Sequence, residues 1–233
     1  MMDCMTVTSR KAHDAYGAPV CFEEELMTGT TIMACEFEGG VMIGADSRTS
    51  SGTYIANRAA DKLSKVTDYI YCCRSGSAAD TQAVLDIVAY QLNFYRNETN
   101  EEPTVEIAAN VFRDVYYRYR DQLQVGLIIA GWDKVKGGQV YNIPLGGMVI
   151  RQKFCMGGSG STFVFGFTDT NFKENMTEAE CKNFLTRAIG LAISRDGSSG
   201  GVIRLGQISE KGISRDVIKY CDISESIEGL PVA

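Results

Sequence analysis

The chain has 233 residues, 45% apolar and 22% charged, enough apolar material for one large domain or two small ones. Its net charge of -6 and the lack of any basic cluster argue against nucleic acid as a partner, and no apolar run approaches the roughly 20 residues that span a bilayer. Eight cysteines form no C-x-x-C pair, which argues against a zinc site, and no secretory signal precedes them; the plain expectation is reduced thiols in a protein of the cytoplasm and nucleus.

Residues 1–29 carry an acidic run (Glu23, Glu24, Glu25) and no sustained period, so they read as a leader. From Thr31 the pattern changes. "TIMACEF" and "VMIGADS" are two apolar runs joined by "EGG", a hairpin signal. With "EGG" as the turn, Thr30 falls opposite Arg48 or Thr49, and Asp46 falls opposite residue 32 or 33. "YIYCCRS" reads as a strand, on which Cys72 and Cys73 point to opposite faces. Ser77 and Asp80 then open a helix on which Val84, Leu85, Val88 and Leu92 repeat at helical spacing. Thr104 opens a second helix, to about Leu123. Four strand-like runs follow: "VGLIIAGW", "GQVYNIPL", "GMVIRQKFCM" and "STFVFGF". Thr177 and Glu180 form a capping box for a third helix over 177–195, and "GGVIRLGQIS" and "DVIKYCDI" close the chain as strands. Segregated runs of strands and helices indicate an α+β fold rather than a doubly wound parallel sheet.

The chain has a single histidine, His13, and it lies in the leader. If the leader is removed, no imidazole remains, and a Ser-His-Asp or Cys-His mechanism has no base. Suppose the chain is cut after Gly29. Thr30 then carries a hydroxyl nucleophile and a free α-amine, whose ordinary pKa of about 7.7–8.0 leaves a useful neutral fraction at physiological pH. The amine takes the hydroxyl proton directly or through one water. Gly29 suits the severed position, because the absence of a side chain lets the Thr30 hydroxyl approach its carbonyl. The leader would mask the nucleophile until then.

"TTIMACEFEGGVMIGADSRTSSGTYIANRAADKL" resembles the start of a mature catalytic β-subunit of the 20S proteasome, and "RSGSAADTQAV", "GGSGS" and "RDGSSGGVIRL" match further blocks of that threonine peptidase family. The similarity runs from about residue 28 to the end of the chain and is strongest to the β1, caspase-like type. It implies a four-layer αββα sandwich of the N-terminal nucleophile hydrolase type, with residues 1–29 as propeptide and 30–233 as the catalytic domain. It implies Thr30 as nucleophile, Asp46 and Lys62 as its buried companions, and Ser159, Asp196 and Ser199 as residues that orient the threonine amine. Gly76 matches the residue whose N–H stabilises the oxyanion, and its place just before a helix start independently suits negative charge. Arg74 falls in the pocket for the side chain preceding the scissile bond, which implies cleavage after Glu or Asp; Thr49, Ser51, Ala60 and Thr81 would line the same pocket. An inducible counterpart carries a non-basic residue where Arg74 stands. No metal or organic cofactor is implied. The implied partners are other α- and β-subunits of a stacked four-ring assembly and unfolded polypeptide substrates, with no nucleic acid and no membrane. Two other readings remain: a noncatalytic β-type subunit serving ring assembly, and an N-terminal nucleophile amidase acting on small amides.

Overall fold

A computed structural model gives residues 29–51 and 54–219, and the backbone of residues 12–13 and 19–20, which pair as a short ladder. The predicted leader otherwise lies outside the described residues, as does the end of the last predicted strand beyond residue 219.

The chain folds into strands β1 (Ile32–Phe37), β2 (Gly40–Ala45), β3 (Thr49–Ser51), β4 (Tyr54–Asn57), β5 (Leu63–Lys65) and β6 (Ile70–Gly76), and then helices α1 (Ala78–Thr99) and α2 (Val105–Arg118). Strands β7 (Val125–Asp133), β8 (Gly137–Ile143), β9 (Ile150–Gln152) and β10 (Phe154–Gly157) follow. A 3-10 turn (Ser159–Phe163), helices α3 (Phe165–Asn171) and α4 (Glu178–Arg195), and strands β11 (Ile203–Ser209) and β12 (Gly212–Ile218) complete it. One five-stranded antiparallel sheet has the order β10-β1-β2-β11-β12, and the other β9-β8-β7-β6-β5.

Side-chain alternation along the strands builds the layers. On β1, Ile32 and Ala34 enter the core between the sheets, while Met33, Cys35 and Phe37 pack towards α4. On β6, Tyr71 and Cys73 face the other sheet, and Ile70 and Cys72 pack under α1 and α2. Helices thus pack on the outer face of each sheet, giving helix, sheet, sheet, helix: the α+β class read from the residues and the layering implied by the resemblance. In central strands such as β2 and β7 neither face meets water, so they read as nearly unbroken apolar runs, whereas the edge strand β12 is largely exposed. Cys35, Cys72, Cys73, Cys155 and Cys181 are buried free thiols, and burial pushes Cys72 up to about 12, which suits packing rather than reactivity.

Caps fall where the sequence marks them. Ser77 and Thr104 accept from the backbone N–H three residues on, and Thr177 with Glu180 forms the full capping box. Several expectations need correction. The first hairpin turns on Glu38 and Gly39 alone, Gly39 having φ 101°, so the ladder runs from Ile32↔Ala45 to Phe37↔Gly40. That is one residue tighter than predicted, and Asp46 lies across from Thr31, whose carbonyl accepts its N–H at 3.1 Å. Thr30 accordingly does not pair with Arg48 or Thr49. "GMVIRQKFCM" is two strands, β9 in one sheet and β10 in the other, with the chain crossing at Lys153. "STFVFGF" is helical: Val164 and Thr168, four apart, are buried while Phe163 and Phe165 stand exposed. Helix α2 stops at Arg118, because residues 117–122 are all exposed and offer the core nothing to hold a further turn.

Candidate active site

One end of the double sheet collects the polar residues. Thr30 precedes β1, Asp46 follows β2, Lys62 leads into β5, Gly76 ends β6, Ser159 follows β10, and Asp196 caps the C-terminus of α4. Thr30, Asp46 and Lys62 are 3%, 0% and 7% exposed. A buried ion pair is costly unless every lone pair and proton is used, and here they are. Asp46 Oδ1 accepts from Lys62 Nζ at 2.7 Å and from Thr31 N at 2.9 Å. Its Oδ2 accepts from Arg48 N at 3.1 Å and Gly200 N at 3.0 Å. Lys62 Nζ spends its other two protons on Thr30 Oγ1 at 3.1 Å and the Gly29 carbonyl oxygen at 3.0 Å. Burial pushes the Lys62 ammonium below the ordinary lysine range, and the Asp46 carboxylate opposes that shift.

A second network holds the backbone of Thr30. Asp196 Oδ2 accepts from Ser159 Oγ at 2.7 Å and Ser199 Oγ at 2.6 Å, and Oδ1 accepts from Ser198 N at 3.0 Å. Burial pushes the Asp196 carboxyl up, but the hydrogen bonds from Ser199, Ser159 and the Ser198 N–H outweigh it and hold the group below its usual range. With its proton committed to Asp196, Ser159 Oγ accepts from Thr30 N at 3.1 Å. Ser199 Oγ, committed in the same way, accepts a hydrogen bond from Thr31 Oγ1 at 2.8 Å. The scissile position predicted between Gly29 and Thr30 thus sits with its oxygen on Lys62 and its nitrogen on Ser159.

Glycine is required at 29 for a reason the sequence reading did not contain. A Cβ there would lie 1.9 Å from Ser198 Cβ and 2.8 Å from Ser198 Cα, inside any tolerable contact. Gly76 is similarly constrained. Its φ is 97°, and an added Cβ would meet the Gln124 carbonyl oxygen at 2.3 Å.

A small cavity of about 90 Å³ opens beside the threonine. Thr30, Lys62, Thr49, Ala60, Arg74 and Thr81 line it, so four of the five predicted pocket residues surround one space. The fifth, Ser51, is a backbone position on β3 whose side chain lies outside the described residues. A larger cleft, about 650 Å³, is lined by Gly29, Ile32, Leu127, Met156 and Ser198 and shares Ser75 and Gly76 with the small cavity. The sequence reading passed over this cleft, and also Thr31, Ser198 and Gln82. Thr31 carried a signal, a second hydroxyl beside the nucleophile. Ser198 and Gln82 carried none, because only chain packing brings them to Gly29 and Arg74.

The description "Proteasome subunit" matches residues 26–208 of this chain. The chain is 49% identical over 212 residues to "Proteasome subunit beta type-6" of Dictyostelium discoideum, covering 91% of this chain and 99% of that protein. It is 55% identical over 194 residues to "Proteasome subunit beta type-9" of Homo sapiens, covering 83% and 88%. It is 50% identical over 188 residues to "Proteasome subunit beta type-6" of Arabidopsis thaliana, covering 81% of each.

Proposed function

This chain belongs to the proteasome subunit family, and from that premise and the geometry above we propose that it is a threonine endopeptidase subunit cleaving after acidic residues. The observation that carries the reading is one buried ammonium, Lys62 Nζ, within 3.1 Å of a threonine hydroxyl and 3.0 Å of the carbonyl preceding that threonine. In maturation, Thr30 Oγ1 attacks the Gly29 carbonyl carbon and yields its proton to water, while Lys62 stabilises the negative charge that develops. The Gly29–Thr30 C–N bond breaks, the nitrogen takes up a proton, and the acyl group rests on the hydroxyl as an ester. Water hydrolyses that ester. The leader, residues 1–29, departs with a carboxylate, and Thr30 keeps its hydroxyl and a free α-amine at the head of the catalytic domain, residues 30–233.

In turnover that amine, held by Ser159, takes the Oγ1 proton as the hydroxyl attacks a substrate carbonyl. Gly76 N–H stabilises the oxyanion, the departing peptide amine leaves with the proton, and water releases the acyl product. Support for acidic specificity is the guanidinium in the cavity. Arg74 bonds only to neutral acceptors, the Gln82 amide oxygen at 2.7 Å and the Asp61 carbonyl at 3.0 Å, and forms no ion pair among the described residues. An uncompensated cation in a small cavity favours a carboxylate ligand. The chain would work in the cytoplasm and nucleus within a stacked four-ring assembly of α- and β-subunits, on unfolded polypeptides.

A second reading is a ring subunit that does no chemistry. The relatives' names favour it, in that each states a proteasome subunit and none states an activity or a caspase-like preference. Intact-mass measurement on assembled particles separates the two. The peptidase begins at Thr30, and Thr30→Ala keeps the leader and loses peptide hydrolysis. A wild-type chain that retains its leader, or a Thr30→Ala chain that still hydrolyses peptides, overturns the peptidase reading.

A further inference from the structure

Arg74 is held in an unusual way. Of its guanidinium nitrogens, one donates to Gln82 Oε1 at 2.7 Å and one to the Asp61 carbonyl oxygen at 3.0 Å, while Nε is buried with no hydrogen-bond partner. A buried N–H without an acceptor costs about 1–3 kcal/mol, and the terminal nitrogens, whose two bonds are exposed, are the part of the guanidinium that a ligand can meet. Two carboxylates lie close in sequence to these anchors, and both are occupied elsewhere. The Asp61 carboxylate is taken by Arg215 through two contacts of 2.8 Å. Asp86 accepts from Gln82 Nε2 at 2.8 Å.

The amide of Gln82 has one consistent orientation. A guanidinium only donates and a carboxylate only accepts, so Oε1 must face Arg74 and Nε2 must face Asp86. Gln82 and Asp86 stand one turn apart on α1, i and i+4, and meet on the same face. The glutamine therefore does two things at once. It fixes the far end of Arg74, and it keeps the Asp86 charge one residue removed from the guanidinium.

We propose that Gln82 is a specificity-determining positioning residue: a neutral clamp that leaves Arg74 without an ion pair, so that its guanidinium stays available to the carboxylate of an acidic substrate side chain. This rests on the reading of Arg74 as the pocket cation. A carboxylate accepting from the terminal guanidinium N–H groups makes the paired bonds that a cation and anion of these shapes favour. A glutamate at position 82 would occupy nearly the same volume, pair with Arg74 itself and repel the incoming substrate charge.

The test uses assembled particles carrying this subunit and two fluorogenic peptides that differ only in an acidic or apolar residue before the scissile bond. Gln82→Glu lowers the acidic-over-apolar ratio of kcat/KM by about ten- to hundredfold, the range of one hydrogen bond to a charged group, and the loss sits in KM. Gln82→Met, which frees Arg74 without neutralising it, lowers the ratio by a smaller factor in the same direction and carries the test if the glutamate variant does not assemble. Combined with Arg74→Met, Gln82→Met has no further effect on the ratio. If Arg74→Met abolishes the acidic preference but both Gln82 variants keep it, the clamp is overturned and the Arg74 reading stands. If Arg74→Met leaves the preference intact, both fall together.

Discussion

Replacing Lys62 by methionine keeps most of the side-chain volume and removes one buried charge. Three contacts vanish: 2.7 Å to Asp46, 3.1 Å to Thr30 Oγ1 and 3.0 Å to the Gly29 carbonyl. Removing one partner of a buried ion pair costs about 3–5 kcal/mol of stability. Asp46 is fully buried but keeps three backbone N–H donors, from Thr31, Arg48 and Gly200, so the lower end of that range applies. The chemical loss is separate. An ammonium placed against both the attacking and the carbonyl oxygen acts as an oxyanion donor does, and its removal lowers the rate by about 10²–10³-fold. Co-expressing the variant with its ring partners and following leader removal by intact mass, then hydrolysis of an acidic peptide, measures both steps. Both fall by that factor while particle yield falls only modestly. Leader removal at the normal rate in Lys62→Met would refute the assignment of Lys62 to the chemistry.

Gly29→Ala sets a methyl group 1.9 Å from Ser198 Cβ, displaces the carbonyl from Lys62, and slows leader removal by about a hundredfold, the usual cost of an ångström of misplacement; normal processing would show that the loop after α4 yields freely. Turnover follows a bell-shaped pH profile: it rises as the Thr30 amine loses its proton, at or below about pH 8. It falls again below the ordinary lysine range, since burial lowers Lys62, and a high-pH limb at the ordinary lysine value would contradict this. The Asp196 carboxyl is held below its usual range, so its contribution to stability is present above the unfolded pKa and lost as pH falls through the folded value. Melting temperature recorded from about pH 5 to pH 2 should therefore fall less steeply for Asp196→Asn than for the parent.

The helices and their starts were readable because capping is local. Ser77, Thr104 and Thr177 each bond a backbone N–H three residues away, and no distant contact is needed to fix them. The opposite facing of Cys72 and Cys73 on β6 was readable because side chains alternate along any strand. The split of "GMVIRQKFCM" between two sheets and the helical folding of "STFVFGF" were not, because an apolar run of that length fits a strand or a helix equally and the neighbouring layer chooses.

Of the site, sequence alone determined the chemical vocabulary: a chain with its one histidine in the leader and a Gly-Thr junction, with Asp46 and Lys62 added as companions only through the family resemblance. Tertiary structure decided the geometry. Lys62 becomes a partner of Thr30 and Gly29 only because strand ends from both sheets meet at one edge. Ser198 and Gln82 matter only through what they press against, the first against Gly29 and the second against Arg74. The physical reason is range: propensity and capping act over a few residues, whereas desolvation of a charge and the exclusion of a single methyl group depend on atoms that only the fold brings together, sixteen residues apart for Asp46 and Lys62 and well over a hundred for Gly29 and Ser198.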